Sequence, residues 1–152
     1  MANCFFDTSA LIKYYHEEIG RKKVIDLINE PSNRIFISRL GLIEWHSALA
    51  RLVRMGILIP NDFRILRSRF LSDIRNRKLR ILPLNLIHQQ RAIRLLMTYA
   101  RTENLRTLDA LQLAVALEFH RQAPLDYFVC ADIPFCQIAR QEGLFILNPE
   151  ED

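Results

Sequence analysis

The chain has 152 residues, enough for one domain with a buried core and too few for two comfortable ones. Half of it is hydrophobic and 25% charged, with 21 Lys and Arg against 17 Asp and Glu for a net charge of +4. That balance excludes a disordered chain and is compatible with nucleic acid without demanding it. No apolar run approaches the roughly 18 residues that cross a bilayer, so no membrane association is expected. Asp7 interrupts the apolar start, which makes a poor signal peptide. Cys4, Cys130 and Cys136 are odd in number and lack C-x-x-C spacing. They fit buried free thiols in a reducing cytoplasm better than a disulfide framework or a structural zinc site.

In chain order, Asn3–Asp7 reads as a short buried strand, and a helix starts at about Thr8, where Thr and Ser are good N-caps. Gly20–Asn29 is an amphipathic helix carrying Val24, Ile25, Leu27 and Ile28, and Arg34–Ser38 is a second strand. Leu40–Arg54 is a helix with Trp45, Leu49, Leu52 and Val53 facing inward, stopped by Gly56. From Pro60, a first-turn proline, a basic helix runs to about Lys78. Between Pro60 and Arg80 stand Arg64, Arg67, Arg69, Arg75, Arg77, Lys78 and Arg80 against Asp62 and Asp73, a solvated face or a phosphate-binding one. Arg80–Leu84 is a third strand, and its proline suits a sheet edge. Helices follow over Ile87–Arg101 and Thr107–Arg121, then a strand at Asp126–Ala131, a helix at Ile133–Glu142 and a last strand at Leu144–Leu147. Strands alternating with helices predict an α/β fold, a mostly parallel sheet covered on both faces.

In such sheets ligands bind outside the carboxyl ends of the strands. Asp7 ends the first strand, and Asp132 follows YFVCA in the same manner, so parallel strands put both on one rim. Glu44 lies between Gly41 and Ala48, small helical neighbours that leave room around a carboxylate; taken alone, a charge at the edge of an amphipathic face, loosely paired with Arg51, is the better explanation. Asp109 falls in the first turn of a largely apolar helix, after Thr107 as N-cap, where the helix dipole favours an acid. Each acid has a structural explanation by itself. Together they repel, by about 4 kcal/mol for a pair 4 Å apart at an effective dielectric near 20, and a hard divalent cation such as Mg²⁺ or Mn²⁺ relieves that repulsion. His16, His46, His88 and His120 are dispersed and fit surface or core-edge positions rather than general acid–base work.

The stretches FFDTSALIKYY, ISRLGLIEWHSALAR, LRTLDALQLAVAL and VCADIPFCQIARQEGL, in that order from Asn3 to about Pro149, resemble the PIN-domain ribonucleases, in particular the VapC-type toxins of bacterial toxin–antitoxin pairs. The resemblance implies a single three-layer α/β/α domain over residues 1–152 with about four to five strands. It also implies a metal-dependent endoribonuclease. Asp7, Glu44, Asp109 and Asp132 would form its acidic quartet around one or two Mg²⁺ or Mn²⁺ ions, Asp7 and Asp109 as direct ligands. Glu44 and Asp132 would act through water or orient the nucleophile, with Thr8 or Ser9 beside the pocket. Arg51 matches a basic residue common after the family's glutamate, and Arg51, Arg54 or helix residues such as Arg64 and Arg67 would contact flanking RNA phosphates. The partners so implied are RNA, a small VapB-type antitoxin that blocks the site, and a second copy in a homodimer, with Leu11–Tyr15 and Phe63–Leu71 as apolar surfaces for them. Gln112, where many relatives carry histidine, and Cys130, where threonine commonly precedes Ala-Asp, depart from the pattern. A haloacid-dehalogenase phosphatase would need a second Asp where Ser9 stands, and RILPLN lacks the phosphorylatable Asp of a receiver domain. A catalytically silent module that binds RNA or protein is the alternative.

Overall fold

Cys4, Phe5 and Phe6 are fully buried although they follow one another along a strand, which requires cover on both faces of their sheet. The computed structural model, which describes residues 1–151, supplies that cover. The elements are β1 (Asn3–Phe6), α1 (Thr8–Tyr15), α2 (Arg21–Asn29), β2 (Arg34–Ser38), α3 (Arg39–Arg54), α4 (Pro60–Arg75), β3 (Leu79–Leu82), α5 (Leu86–Tyr99), α6 (Thr107–Gln122), β4 (Tyr127–Val129), α7 (Ile133–Gln141) and β5 (Ile146–Leu147). The strands stand in the order β3-β2-β1-β4-β5 and every pairing is parallel. This is the three-layer α/β/α architecture that the alternating pattern predicts.

Strand alternation divides the interior into two cores. Cys4, Phe6, Ile35, Ile37 and Val129 face α1 to α4, whereas Phe5, Phe36 and Phe128 face α5, α6 and α7. On the first side Trp45 of α3 stacks on Phe70 of α4, with ring centroids 4.1 Å apart, and Tyr15 of α1 meets both rings edge-on. No helix among the described residues is long and apolar enough to cross a membrane. All three cysteines are free and buried, as their spacing predicts.

Several expectations shift by a few residues for identifiable reasons. β1 ends at Phe6: Asp7 keeps one more backbone bond to β4 through its N–H but already caps α1 with its side chain; Thr8 and Ser9 are helical, and Ser9 donates to the cap. β3 lies at the sheet edge as Pro83 suggests, but stops at Leu82, before the proline. The basic helix stops at Arg75, since Arg77 adopts a left-handed φ of 58°. Lys78, beyond that turn, donates to the Tyr14 hydroxyl and to Asn29. β4 and β5 are shorter than the apolar runs around them. Leu11–Tyr15 is not an outer surface: all five residues are buried, because α1 runs back across the first core. Of Phe63–Leu71, Phe70 is wholly buried and Phe63 and Leu66 pack on the same core, leaving Ile65 exposed.

Deleting the Phe70 ring would leave a cavity against Trp45, Tyr15 and His46. Phe70→Ala is expected to lower stability by about 3–5 kcal/mol. Urea unfolding should read this as a shifted midpoint with an unchanged slope.

Candidate functional site

The chain winds outward from β1 to β2 and β3, then returns to the other side of β1 with β4 and β5. The direction of winding therefore reverses between β1 and β4, and a crevice opens there at the strand carboxyl ends. Both strands deliver an acid to it. Asp7 follows β1 and caps α1: its Oδ2 accepts from the Ser9 backbone N–H at 3.1 Å and from the Ser9 hydroxyl at 2.6 Å. Asp132 caps α7, its Oδ1 accepting from the Phe135 N–H at 3.1 Å. The Ser9 hydroxyl also accepts from the Ala131 N–H at 3.0 Å, which ties the two strand ends together. Each cap thus uses one carboxylate oxygen, and the other (Asp7 Oδ1, Asp132 Oδ2) accepts no capping bond.

The other two acids arrive on helices. Asp109 occupies the first turn of α6, where its Oδ2 accepts from the Arg106 backbone N–H at 3.4 Å and from Arg106 Nε at 3.0 Å. Arg106, not Thr107, stands at the cap position. The same guanidinium reaches across the crevice, with Nη2 3.5 Å from Asp132 Oδ2. One turn beyond Asp109 lies Gln112, completely buried. Its amide nitrogen donates to Glu44 Oε1 at 2.8 Å and to Thr8 Oγ1 at 3.1 Å, and its oxygen accepts from the Ser38 hydroxyl at 2.7 Å. Gln112 therefore links α6 to the starts of α1 and α3. The space beside Gly41 is filled by Gln112 and Ser38, whose atoms lie 3.6–3.8 Å from where a Cβ would stand. Glu44 makes no ion pair with Arg51; its partner is Gln112.

Charge is concentrated and poorly solvated here. Burial raises the pKa of Asp7 above the usual carboxylate range; the Ser9 bonds oppose the rise and the charge of Asp109 adds to it. Burial also raises Glu44, against the Gln112 hydrogen bond, with Asp7 and Asp109 adding to the rise. The thiol of Cys130 lies 3.7 Å from Asp7 Oδ2 and occupies the floor under it. Its pKa is pushed up, first by its hydrogen bond with Cys136 and then by burial, so it remains a neutral donor. The N-termini of α1, α6 and α7 bring partial positive charge to the same crevice. As the side chains stand, no group of three or more His, Cys, Asp or Glu among the described residues closes around a single point that could hold a metal ion. Arg106 lies between Asp109 and Asp132. The donor set is nevertheless all hard oxygen, two of its acids are raised by burial and mutual repulsion, and Asp7 Oδ1 takes no part in capping. That chemistry fits Mg²⁺ or Mn²⁺ rather than a soft metal.

Of the four acids the sequence singles out, Asp109 and Asp132 share the Arg106 guanidinium, Glu44 bonds to Gln112 one turn beyond Asp109, and the charge of Asp109 acts on both Asp7 and Glu44. Arg51, Arg64 and Arg67 are exposed, and none makes a hydrogen bond or ion pair with the acids; Arg64 donates to Asn61 on its own helix. Arg69 of the same helix lies over the Tyr14 ring, 4.7 Å from its centroid, so part of the basic face serves packing. His88 is buried on α5 and no histidine bonds to the acids. Two residues of the site went unassigned: Arg106, which the i, i+3 spacing to Asp109 would have found, and Gln112, noted for its type but not for its reach.

The sequence model of the PIN domain matches residues 4–125, a span that includes Asp7, Glu44 and Asp109 and ends before Asp132. No curated protein sequence matches the chain. Among solved structures, the fold is similar to VapBC2 from Rickettsia felis bound to a DNA fragment from its promoter (TM-score 0.67, 16% identity, 96% of this chain and 98% of the other). It is similar to DNA-bound VapBC from Salmonella typhimurium (TM-score 0.67, 16% identity, 98% and 99%). It is also similar to VapC20 of Mycobacterium tuberculosis, described as a sarcin–ricin loop cleaving toxin (TM-score 0.65, 16% identity, 93% and 95%).

A carboxyl whose pKa is higher in the folded state holds its proton more tightly there. The stabilising contribution of such a group is therefore fully present below the unfolded value near 4 and is lost as the pH rises through the shifted one. Asp7→Asn keeps an oxygen for the Ser9 bonds and removes the charge. In metal-free buffer at neutral pH its melting temperature is expected to exceed that of the parent by roughly 2–4 °C, with the gain vanishing near pH 4; paired melting curves across that range check the sign.

Proposed function

The chain belongs to the PIN domain family, and from that premise we propose that it is a metal-dependent endoribonuclease, the toxin of a type II toxin–antitoxin pair. The observation that carries the nuclease reading is the meeting of four acids from four parts of the chain in the β1–β4 crevice, where burial and mutual repulsion raise Asp7 and Glu44. Such an arrangement opposes folding unless a cation offsets it. Asp7 and Asp109 would hold one or two Mg²⁺ or Mn²⁺ ions directly, with Glu44 and Asp132 completing the site through water. A divalent ion there supplies a water of lowered pKa and neutralises charge building on the phosphodiester.

The chain's own residues do the positioning. Ser9 fixes the rotamer of Asp7 through two donated bonds to Oδ2, which leave Oδ1 without a bond from Ser9. Gln112 holds one oxygen of Glu44, leaving the other to orient a nucleophilic water. The relative that cleaves the sarcin–ricin loop supports RNA as the substrate class, and the exposed Arg51, Arg64 and Arg67 are suited to flanking phosphates. The VapBC complexes among the relatives support a VapB-type antitoxin as partner, and we extend the proposal to a homodimer.

Purified Asp7→Asn is expected to lose RNA cleavage by at least about 100-fold while remaining folded. Near-parental activity would remove Asp7 from the mechanism. Mn²⁺ at 100 times its Kd should add about 2.7 kcal/mol of stability, a rise of roughly 5–10 °C in melting temperature; calorimetry with no response at millimolar ion would contradict the metal site. Replacing Arg64 and Arg67 together by Glu should weaken RNA binding and reduce the slope of log affinity against log salt by about 2, measurable by fluorescence anisotropy.

A further inference from the structure

The acids of the crevice already have a cation, and it belongs to the chain. Arg106 Nε lies 3.0 Å from Asp109 Oδ2, and its Nη2 lies 3.5 Å from both Asp109 Oδ1 and Asp132 Oδ2. Its charge also acts on Asp7 and on Glu44. Among the described residues no other ion pair reaches any of the four acids. A guanidinium is never deprotonated under conditions the fold survives, so this cation leaves the acids only by moving. It is free to do so: its side chain is 66% exposed, and its bonds run to Asp109 and Asp132 alone.

We propose that Arg106 is an internal counter-cation, seated on Asp109 and Asp132 in the metal-free protein and displaced when a divalent ion binds. The inference rests on the metal-site reading above and adds a competitor within the same chain. Geometry supports competition rather than coexistence, because the fork takes both oxygens of Asp109 and the one oxygen of Asp132 that does not cap α7. An ion using Asp109 as a direct ligand needs oxygens that Arg106 now occupies. The apparent affinity for the ion is then reduced by the fraction of molecules whose guanidinium is seated. In exchange, the metal-free site is spared part of the repulsion among its carboxylates. The metal-binding step becomes a switch between two cations, one tethered and one free.

The sign of the effect on ion binding separates this role from a purely structural one. Isothermal titration of Mn²⁺, without RNA, would compare the parent with Arg106→Ala, Arg106→Gln and Arg106→Lys, each checked for folding by circular dichroism. Arg106→Gln preserves bulk and a donor should the smaller side chain disturb α6. Ala and Gln are expected to bind Mn²⁺ about 5–10-fold more tightly than the parent, and Lys, which keeps the charge but loses the fork, about 2–3-fold more tightly. Equal or weaker binding by Ala and Gln would overturn the proposal while leaving the metal site intact. Parental affinity in Lys beside tighter binding in Ala would assign the effect to net charge and overturn displacement. Absence of Mn²⁺ binding in all four proteins would remove the metal reading and this inference with it.

Discussion

The site depends on one constraint: a carboxylate placed between the end of a parallel strand and the helix that follows has two tasks for two oxygens. Asp7 and Asp132 each give one oxygen to a helix N-terminus. The capping bond fixes the rotamer and leaves the second oxygen to other partners; that of Asp132 lies 3.5 Å from Arg106 Nη2. An N-cap contributes about 0.5–2 kcal/mol. That is less than the repulsion of about 4 kcal/mol between carboxylates 4 Å apart at an effective dielectric near 20. Capping therefore explains how the acids are held but not how so many are tolerated together. The difference has to be met by protonation, by Arg106 or by a bound ion.

Gln112 shows how the same problem is handled without charge. A histidine at this position would titrate near neutrality and could reverse its donors and acceptors. The amide cannot titrate, and its orientation is set from one side: the Ser38 hydroxyl accepts from the Gly41 N–H and so turns its proton to the Gln112 oxygen. The amide nitrogen then has to face Glu44 and Thr8. A chain of bonds running from the cap of α3 through α6 to the start of α1 thereby fixes Glu44, the acid whose helix does not begin with it. Every donor in this chain is neutral, so the bonds that position Glu44 bring no cation with them; the charge of Arg106, which lowers its pKa, acts from outside the chain of bonds.

Much of this was legible in the sequence, and the reason is directional. Strand polarity alone put Asp7 and Asp132 on one rim, since parallel strands share a carboxyl edge, and first-turn spacing put Asp109 at a helix start. The pattern reveals less where two local rules compete. Asp7 and Thr8 are both good caps, and only the partnership with Ser9 decides for Asp7. The apolar run Leu11–Tyr15 reads the same whether it faces a core or a partner, and the packing of Tyr15 against Trp45 and Phe70 decides for the core. Arg106 was hidden by rank: in a chain rich in arginine, the one that matters is identified by what lies one helical turn away, not by its neighbours in a basic run. The basic helix drew attention because it is long, whereas the guanidinium that meets the acids stands alone.

The two cores explain why this crowded crevice can persist in the folded state. Phe5 pairs with Phe128 and Phe6 with Val129 in the β1–β4 register, and the Asp7 N–H continues that ladder by donating to the Val129 carbonyl at 3.0 Å. Phe5 and Phe128 stack in one core while Phe6 and Val129 pack in the other. A slip of β1 by one residue would exchange the faces of Phe5 and Phe6. Asp7 is therefore placed by apolar packing on both sides of the sheet, which outweighs the local electrostatic penalty and gives the acid no alternative position. The repulsion that remains cannot relax by moving the backbone; it relaxes by protonation of an acid or by a cation beside it, the place Arg106 takes in this structure.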